Sequence, residues 1–213
     1  MAGTGWTGCS RKSASEAYDH RDPGSLPPVI AVDTVPLAYA HRLAHRDPAI
    51  IDLVVIHCTE LPDLQTAREF GERIRHHPGR TGNCGHFYID RDGRIESWVD
   101  IDRVAHHVRG YNDRSIGIEL VNNGRWPDWL HSGNQEMSDP YPAVQINALA
   151  ALLRKLQERL PALQWIAGHE HLDRERVPAS DAPGIEVFRK RDPGPMFPWQ
   201  QILASCPLQR LGE

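Results

Sequence analysis

Three polar residues of this sequence stand where apolar runs end or pass. His57 closes Asp52-Leu53-Val54-Val55-Ile56-His57-Cys58-Thr59, Glu119 lies inside Ser115-Ile116-Gly117-Ile118-Glu119-Leu120-Val121, and His169 follows Leu163-Gln164-Trp165-Ile166-Ala167-Gly168. A histidine at the end of a buried strand is usually structural. A carboxylate inside a run as apolar as the second is costly to bury unless it has a partner or a task. A fourth residue, Asp192, precedes a proline in Arg189-Lys190-Arg191-Asp192-Pro193-Gly194-Pro195-Met196-Phe197-Pro198-Trp199. The proline pushes the aspartate toward extended geometry, and Gly194 permits a sharp bend, so the turn can aim one carboxylate at a fixed point. Two imidazoles and a carboxylate form a set that can hold zinc with a fourth position open to water. Glu119 would then take a proton from that water, and Lys190 would offer positive charge to an oxyanion. These residues lie far apart in the chain, so spacing alone does not join them.

The elements that must position them can be read from periodicity. The run 52–59 is continuous, apolar and β-branched, as suits a buried central strand, and 115–121 reads the same way. Residues 64–75 carry Leu64, Ala67, Phe70 and Ile74 at near-helical spacing. His86–Asp90 and Arg94–Val99 flank Arg91-Asp92-Gly93 as a β-hairpin, and 80–85 is a turn-rich loop. Residues 122–140 form a long polar loop bearing tryptophans, a length that is more often functional than idle. Pro142 opens a helix to about Leu160, with Val144, Leu149, Leu152, Leu153, Leu156 and Leu160 on one side and Pro161 as its stop. A short strand at 163–167, an irregular insertion at 170–189 and a last helix from Trp199 to Ala204 complete the pattern. The alternation gives an α/β fold: one domain, a central mixed β-sheet flanked by helices, with the site at the strand ends. Residues 1–28 read as a flexible tail or linker and 29–213 as the folded domain.

Composition narrows the partners. The chain has 213 residues, 40% hydrophobic and 24% charged, and a net charge of -4, with no basic run interleaved with aromatics. That argues against nucleic acid as a partner. No apolar run approaches the ~18–20 residues of a membrane span. Histidine, at 12 residues, is the outlier and raises the weight of metal or proton chemistry. Cys9, Cys58, Cys84 and Cys206 show no close pairing, which points to free thiols rather than a disulfide framework or a thiolate zinc cluster. Trp6-Thr7-Gly8-Cys9-Ser10 admits two readings, a lipid-anchored cysteine as at the end of a lipoprotein signal, or an incidental cysteine in a tail.

Taken together, Val55–Thr59, His86–Ile89 with Arg91–Gly93, Ser115–Leu120, Gly168-His169 and Lys190–Pro195 resemble, in order, the zinc-dependent N-acetylmuramoyl-L-alanine amidases of type 2. That family is related to phage lysozyme-type amidases and to peptidoglycan recognition proteins. The resemblance implies Zn2+ bound by His57, His169 and Asp192, Glu119 and Lys190 as catalytic residues, and His107 as a residue of the substrate groove. It implies peptidoglycan or muropeptides as substrate, cleaved between N-acetylmuramic acid and L-alanine in cell-wall turnover or recycling. The closing segment 189–199 is especially like the envelope lipoprotein members, which favours the cell envelope over the cytoplasm and lipidation of Cys9. A recycling amidase of the cytosol, a peptidoglycan-binding module without catalysis, and a zinc peptidase acting on cell-wall peptides are the alternatives. Two features depart from the family. Gly85 stands where phage-type members place a tyrosine, and the link from His169 to Asp192 is lengthened by an insertion at about 170–186. His171, Asp173 and Asp181 in that insertion read as surface residues, with a supplementary metal contact as the alternative. Cys58, facing away from His57 in an extended strand, reads as a buried thiol. The His20–Gly24 turn reads as an ordinary turn, and His76-His77-Pro78 as a helix end with its imidazoles in solvent.

Overall fold

The first apolar run becomes the middle of a sheet, buried on both faces. In a computed structural model describing Met1 and residues 31–212, the chain forms in turn β1 (Asp33–Thr34), β2 (Leu53–Cys58), α1 (Leu64–Gly71), β3 (Phe87–Ile89) and β4 (Ile95–Ser97). It continues with β5 (Ser115–Leu120), α2 (Ala143–Arg159), β6 (Trp165–Gly168), α3 (His169–Leu172), β7 (Arg176–Pro178), β8 (Glu186–Phe188), α4 (Trp199–Ser205) and β9 (Gln209–Arg210). Seven strands make one mixed sheet in the order β1-β4-β3-β5-β2-β6-β9, and β7 and β8 make a separate hairpin. Within the sheet only β3 and β4 run antiparallel; β2 lies parallel between β5 and β6. The tail through residue 28, with Cys9 and the His20–Gly24 turn, falls outside the described residues apart from Met1.

Strand alternation then divides the sheet into a packing face and a working face. Val54, Ile56, Ile116, Ile118, Leu120, Phe87, Ile89 and Ile166 join the main core with Ile146, Leu149, Leu152, Leu153 and Leu156 of α2. The alternate positions His57, Glu119 and Tyr88 point the other way, and the parallel register sets Tyr88 beside Glu119 and Glu119 beside His57. The site is therefore one row across three strands.

Several local expectations need correction. Val144 is 51% exposed, not on the buried side of α2; it lies over the hairpin turn, where a Cβ at Gly93 would meet its Cγ2 at 3.1 Å. The buried position is taken by Gln145, whose Nε2 donates to the carbonyls of Ile89 and Val121, each at 3.0 Å. The Ile89 carbonyl also accepts from Val121 N–H at 2.9 Å, so the buried amide reinforces the join between the end of β3 and the residue after β5. Helix α1 stops at Gly71, so Ile74 lies beyond it and is 39% exposed. The insertion is not irregular: it contains α3 and the β7–β8 hairpin. Asp173 is buried, not a surface residue, because Arg189 pairs with it and offsets its desolvation. Asp181 is exposed and accepts from Ser132 N–H and Oγ–H, each at 2.7 Å.

Behind the working row lies His86, with no exposed surface. Its Nδ1 accepts from Gly117 N–H at 3.0 Å, and its Nε2 lies 3.0 Å from the Arg103 carbonyl and 2.8 Å from the Arg46 guanidinium. Burial, then the Arg46 charge, lowers its pKa to about 3. The unfolded chain, with its histidine near 6.5, binds the extra proton first. Stability should therefore fall as pH drops from about 6.5 toward about 3, by up to about 1.4 kcal/mol per pH unit for one group. His86→Asn keeps an acceptor for Gly117 and cannot titrate, so chemical denaturation between pH 4 and 6 should show a shallower slope. An unchanged slope would remove His86 from the acid response.

Candidate metal centre

His57 is carried to its place by the last turn of the pleat in β2, and His169 by the start of α3. Gly168 pairs with Ile56 one residue earlier, which sets the two histidines side by side at adjacent strand ends. A Cβ at Gly168 would come within 2.8 Å of Pro193 Cδ, so the glycine lets the Asp192 turn lie against the sheet. That turn bends at Gly194, with φ of +82°. It is held from several sides: Glu170 N–H donates to the Asp192 carbonyl at 2.9 Å, Tyr141 O–H donates to the Pro193 carbonyl at 2.7 Å, and Met137 Cε lies 2.9 Å from where a Gly194 Cβ would be.

The three expected ligands meet. His57 Nδ1 is 2.8 Å and His169 Nδ1 3.1 Å from the same oxygen, Asp192 Oδ2. Candidate ligand atoms of the three residues lie within 4.8 Å of one another, and all three residues are buried. Asp192 Oδ1 is buried without a hydrogen-bond partner among the described residues. Burial opposes ionisation of Asp192, but the charge and hydrogen bond of His169, the close approach of His57 and the charge of Lys190 hold it well below the usual carboxylate range. An anionic carboxylate with one idle oxygen, facing two imidazole nitrogens, fits a divalent cation with nitrogen and oxygen ligands; zinc suits that donor set.

Glu119 stands beside His57 in the register and faces the same cavity. Burial raises its pKa to about 7; His57 and Lys190 pull it down, and Asp192 and Glu60 push it up. Gly85 has a plain reason to be glycine here, since a Cβ would come within 2.9 Å of Glu119 Cγ. Lys190 is half-buried on the same cavity and makes no hydrogen bond or ion pair among the described residues. The cavity holds about 700 Å³ and is walled in part by Phe70, Trp129, His76 and His106. His107 lines it too, and in addition its Nδ1 lies 3.0 Å from His57 Nε2. His76 is exposed, as expected, while its ring packs on His106 at 4.5 Å between centroids and its Nε2 lies 2.8 Å from Asn83 Oδ1.

Two residues of the site's frame were not foreseen. Arg125, 1% exposed, sits in the 122–140 loop and grips both oxygens of Glu60 through Nε at 2.7 Å and an Nη at 3.0 Å. It also donates to the carbonyl oxygens of Phe188 at 2.8 Å and Arg189 at 3.3 Å, directly before Lys190. The long loop thus fastens the segment that carries Lys190 and Asp192. A lone arginine in a polar loop gives no periodic signal of burial, and Glu60 gives none either.

A family model described as N-acetylmuramoyl-L-alanine amidase matches residues 46–195. Amidase AmiD of Escherichia coli K12 is 38% identical over 91 residues, which cover 43% of this chain but only 27% of AmiD. The 1,6-anhydro-N-acetylmuramyl-L-alanine amidase AmpD of Salmonella typhimurium is 28% identical over 213 residues, 96% of this chain and 94% of that protein. Among solved structures, the amidase LysC from Clostridium intestinale superposes with a TM-score of 0.62 at 21% identity, covering 85% of this chain and all of LysC. That last likeness is one of fold.

Proposed function

Because the chain belongs to the N-acetylmuramoyl-L-alanine amidase family, we propose that it hydrolyses the amide between the lactyl group of N-acetylmuramic acid and the L-alanine of the stem peptide, with zinc as its metal. The observation that carries this reading is the convergence of His57, His169 and Asp192 on one point with Glu119 in the adjoining register position. Zinc bound there supplies Lewis-acid chemistry, activating water and polarising the amide carbonyl. His57, His169 and Asp192 hold it. Glu119 takes the proton of the attacking water and returns it to the leaving L-alanine amine, a transfer for which a carboxylate poised near neutral is suited. Lys190 places an ammonium where the amide oxygen gains charge. The groove of about 700 Å³ gives an extended glycopeptide room to lie across the row.

Residues 29–213 are proposed as the catalytic domain. The cell envelope is proposed as its place of action, on the likeness of 189–199 to envelope lipoprotein members; among the described residues no helix is long and apolar enough to cross a membrane. Cell fractionation separates this from a cytosolic recycling enzyme.

Digestion of peptidoglycan and of anhydro-muropeptides, followed by mass spectrometry, tests the activity. Free stem peptides beginning at L-alanine, with glycan strands intact, are the expected products. A chelator should abolish their release and added zinc restore it. Cleavage inside the stem peptide would establish the peptidase reading instead, and binding without products the non-catalytic one.

A further inference from the structure

A line of polar contacts leads away from the metal centre behind His57. His57 Nε2 is 3.0 Å from His107 Nδ1, His107 Nε2 is 3.2 Å from Ser115 Oγ, and Ser115 Oγ is 2.7 Å from the Tyr111 carbonyl oxygen. The last atom fixes the direction of the whole line. A carbonyl oxygen only accepts, so the one proton of the Ser115 hydroxyl is committed to Tyr111. Oγ then offers His107 lone pairs alone, and the ring proton of a neutral His107 must sit on Nε2. Its Nδ1 is left bare and accepts from His57 Nε2–H. A neutral His57 is thereby left with a bare Nδ1, the nitrogen that faces Asp192.

We infer that His107 and Ser115 are positioning residues that set the tautomer of His57 and turn its Nδ1 lone pair to the metal; this rests on the metal reading above. The surroundings keep the relay in one geometry. The N–H groups of His107 and Val108 both donate to Asn112 Oδ1, at 3.0 and 2.8 Å. The His107 ring fills the space above Gly117, where a Cβ would come within 2.6 Å of its Cγ, and the edge of His86 packs on it at 5.6 Å. Ser115 has no exposed surface. Among the described residues His169 has no equivalent, since its Nε2 is buried without a partner there. The relay therefore prepares one ligand of the pair.

The test is zinc affinity, measured by competition with a chelator of known strength. His107→Leu removes the acceptor behind His57 and should weaken zinc binding roughly 10–100-fold. His107→Asn offers an Oδ1 near the position of Nδ1 and should recover most of that loss. Ser115→Ala frees the His107 proton to move and should weaken binding in the same direction, by less. Thermal unfolding of the zinc-free proteins checks that all are folded. In the zinc-loaded wild type, imidazole nitrogen NMR should place the His57 proton on Nε2. Wild-type affinity in His107→Leu would overturn the inference, as would an equal loss in His107→Asn and His107→Leu, which marks mere packing. A wild-type protein that takes up no zinc would overturn the metal reading itself.

Discussion

Glu119→Gln is expected to lower turnover of muropeptides by about 10²–10⁴-fold while zinc content stays at the wild-type level. Glutamine keeps the size and most of the hydrogen-bonding capacity of the side chain, so the groove and the neighbouring strands need not move. What it loses is the capacity to accept a proton and hand it on. Glu119 does not belong to the group of residues that could hold a metal, so zinc should remain bound by His57, His169 and Asp192. Gly85 leaves little space beside Glu119 Cγ, which favours a substitution of equal volume over any larger one. Initial rates from released stem peptide, with metal analysis on the same sample, provide the measurement. A wild-type rate in this variant would assign proton transfer to some other group. Loss of zinc along with activity would place Glu119 among the ligands.

The largest stability effect is expected at Arg125. Arg125→Ala leaves the Glu60 carboxylate buried at 6% exposure with no counter-charge, and removes donors from the carbonyls of Phe188 and Arg189. Breaking a buried pair by removing one partner costs about 3–5 kcal/mol. In a domain of this size that corresponds to roughly 6–20 °C of melting temperature. Arg125→Lys should rescue little, because a single ammonium cannot reproduce the forked grip on both Glu60 oxygens together with the two carbonyls. Replacing both partners with apolar residues should cost less than Arg125→Ala, since no charge is then stranded. Thermal denaturation of the set decides this. An Arg125→Ala protein that melts with the wild type would mean that Glu60 finds water or another cation.

The contrast between Glu119 and Arg125 shows what the sequence could and could not say. Val54, Ile56, Ile116 and Ile118 form runs whose period declares a buried strand, and polar residues set into those runs stand out against them. That is how His57, Glu119 and His169 were legible, and the proline-glycine turn marked Asp192 in a similar way. Arg125, Glu60 and Asp173 gave no such contrast, because each lies outside the apolar runs and is buried only through a partner far away in the chain. Ser115 is silent for another reason: its role depends on the carbonyl of Tyr111 and the ring of His107, which no residue pattern encodes. Short pieces such as β1, β9 and the β7–β8 hairpin are built from two or three residues each. That is too few for a period to show, and their pairing comes from neighbours already in place.

His57 and Asp192 are separated by 135 positions in the chain. An ion bound to both would therefore be a cross-link, tying the first central strand to the closing turn across most of the polypeptide. Such a fastener restricts the opened chain far more than the native one, and any ligand bound only by the native form adds stability, about 2.7 kcal/mol at a hundredfold excess over its dissociation constant. Metal starvation would then do more than idle the enzyme. It would loosen the molecule at the 122–140 loop and the insertion, where proteases find backbone, and convert a shortage of ion into a shortage of protein.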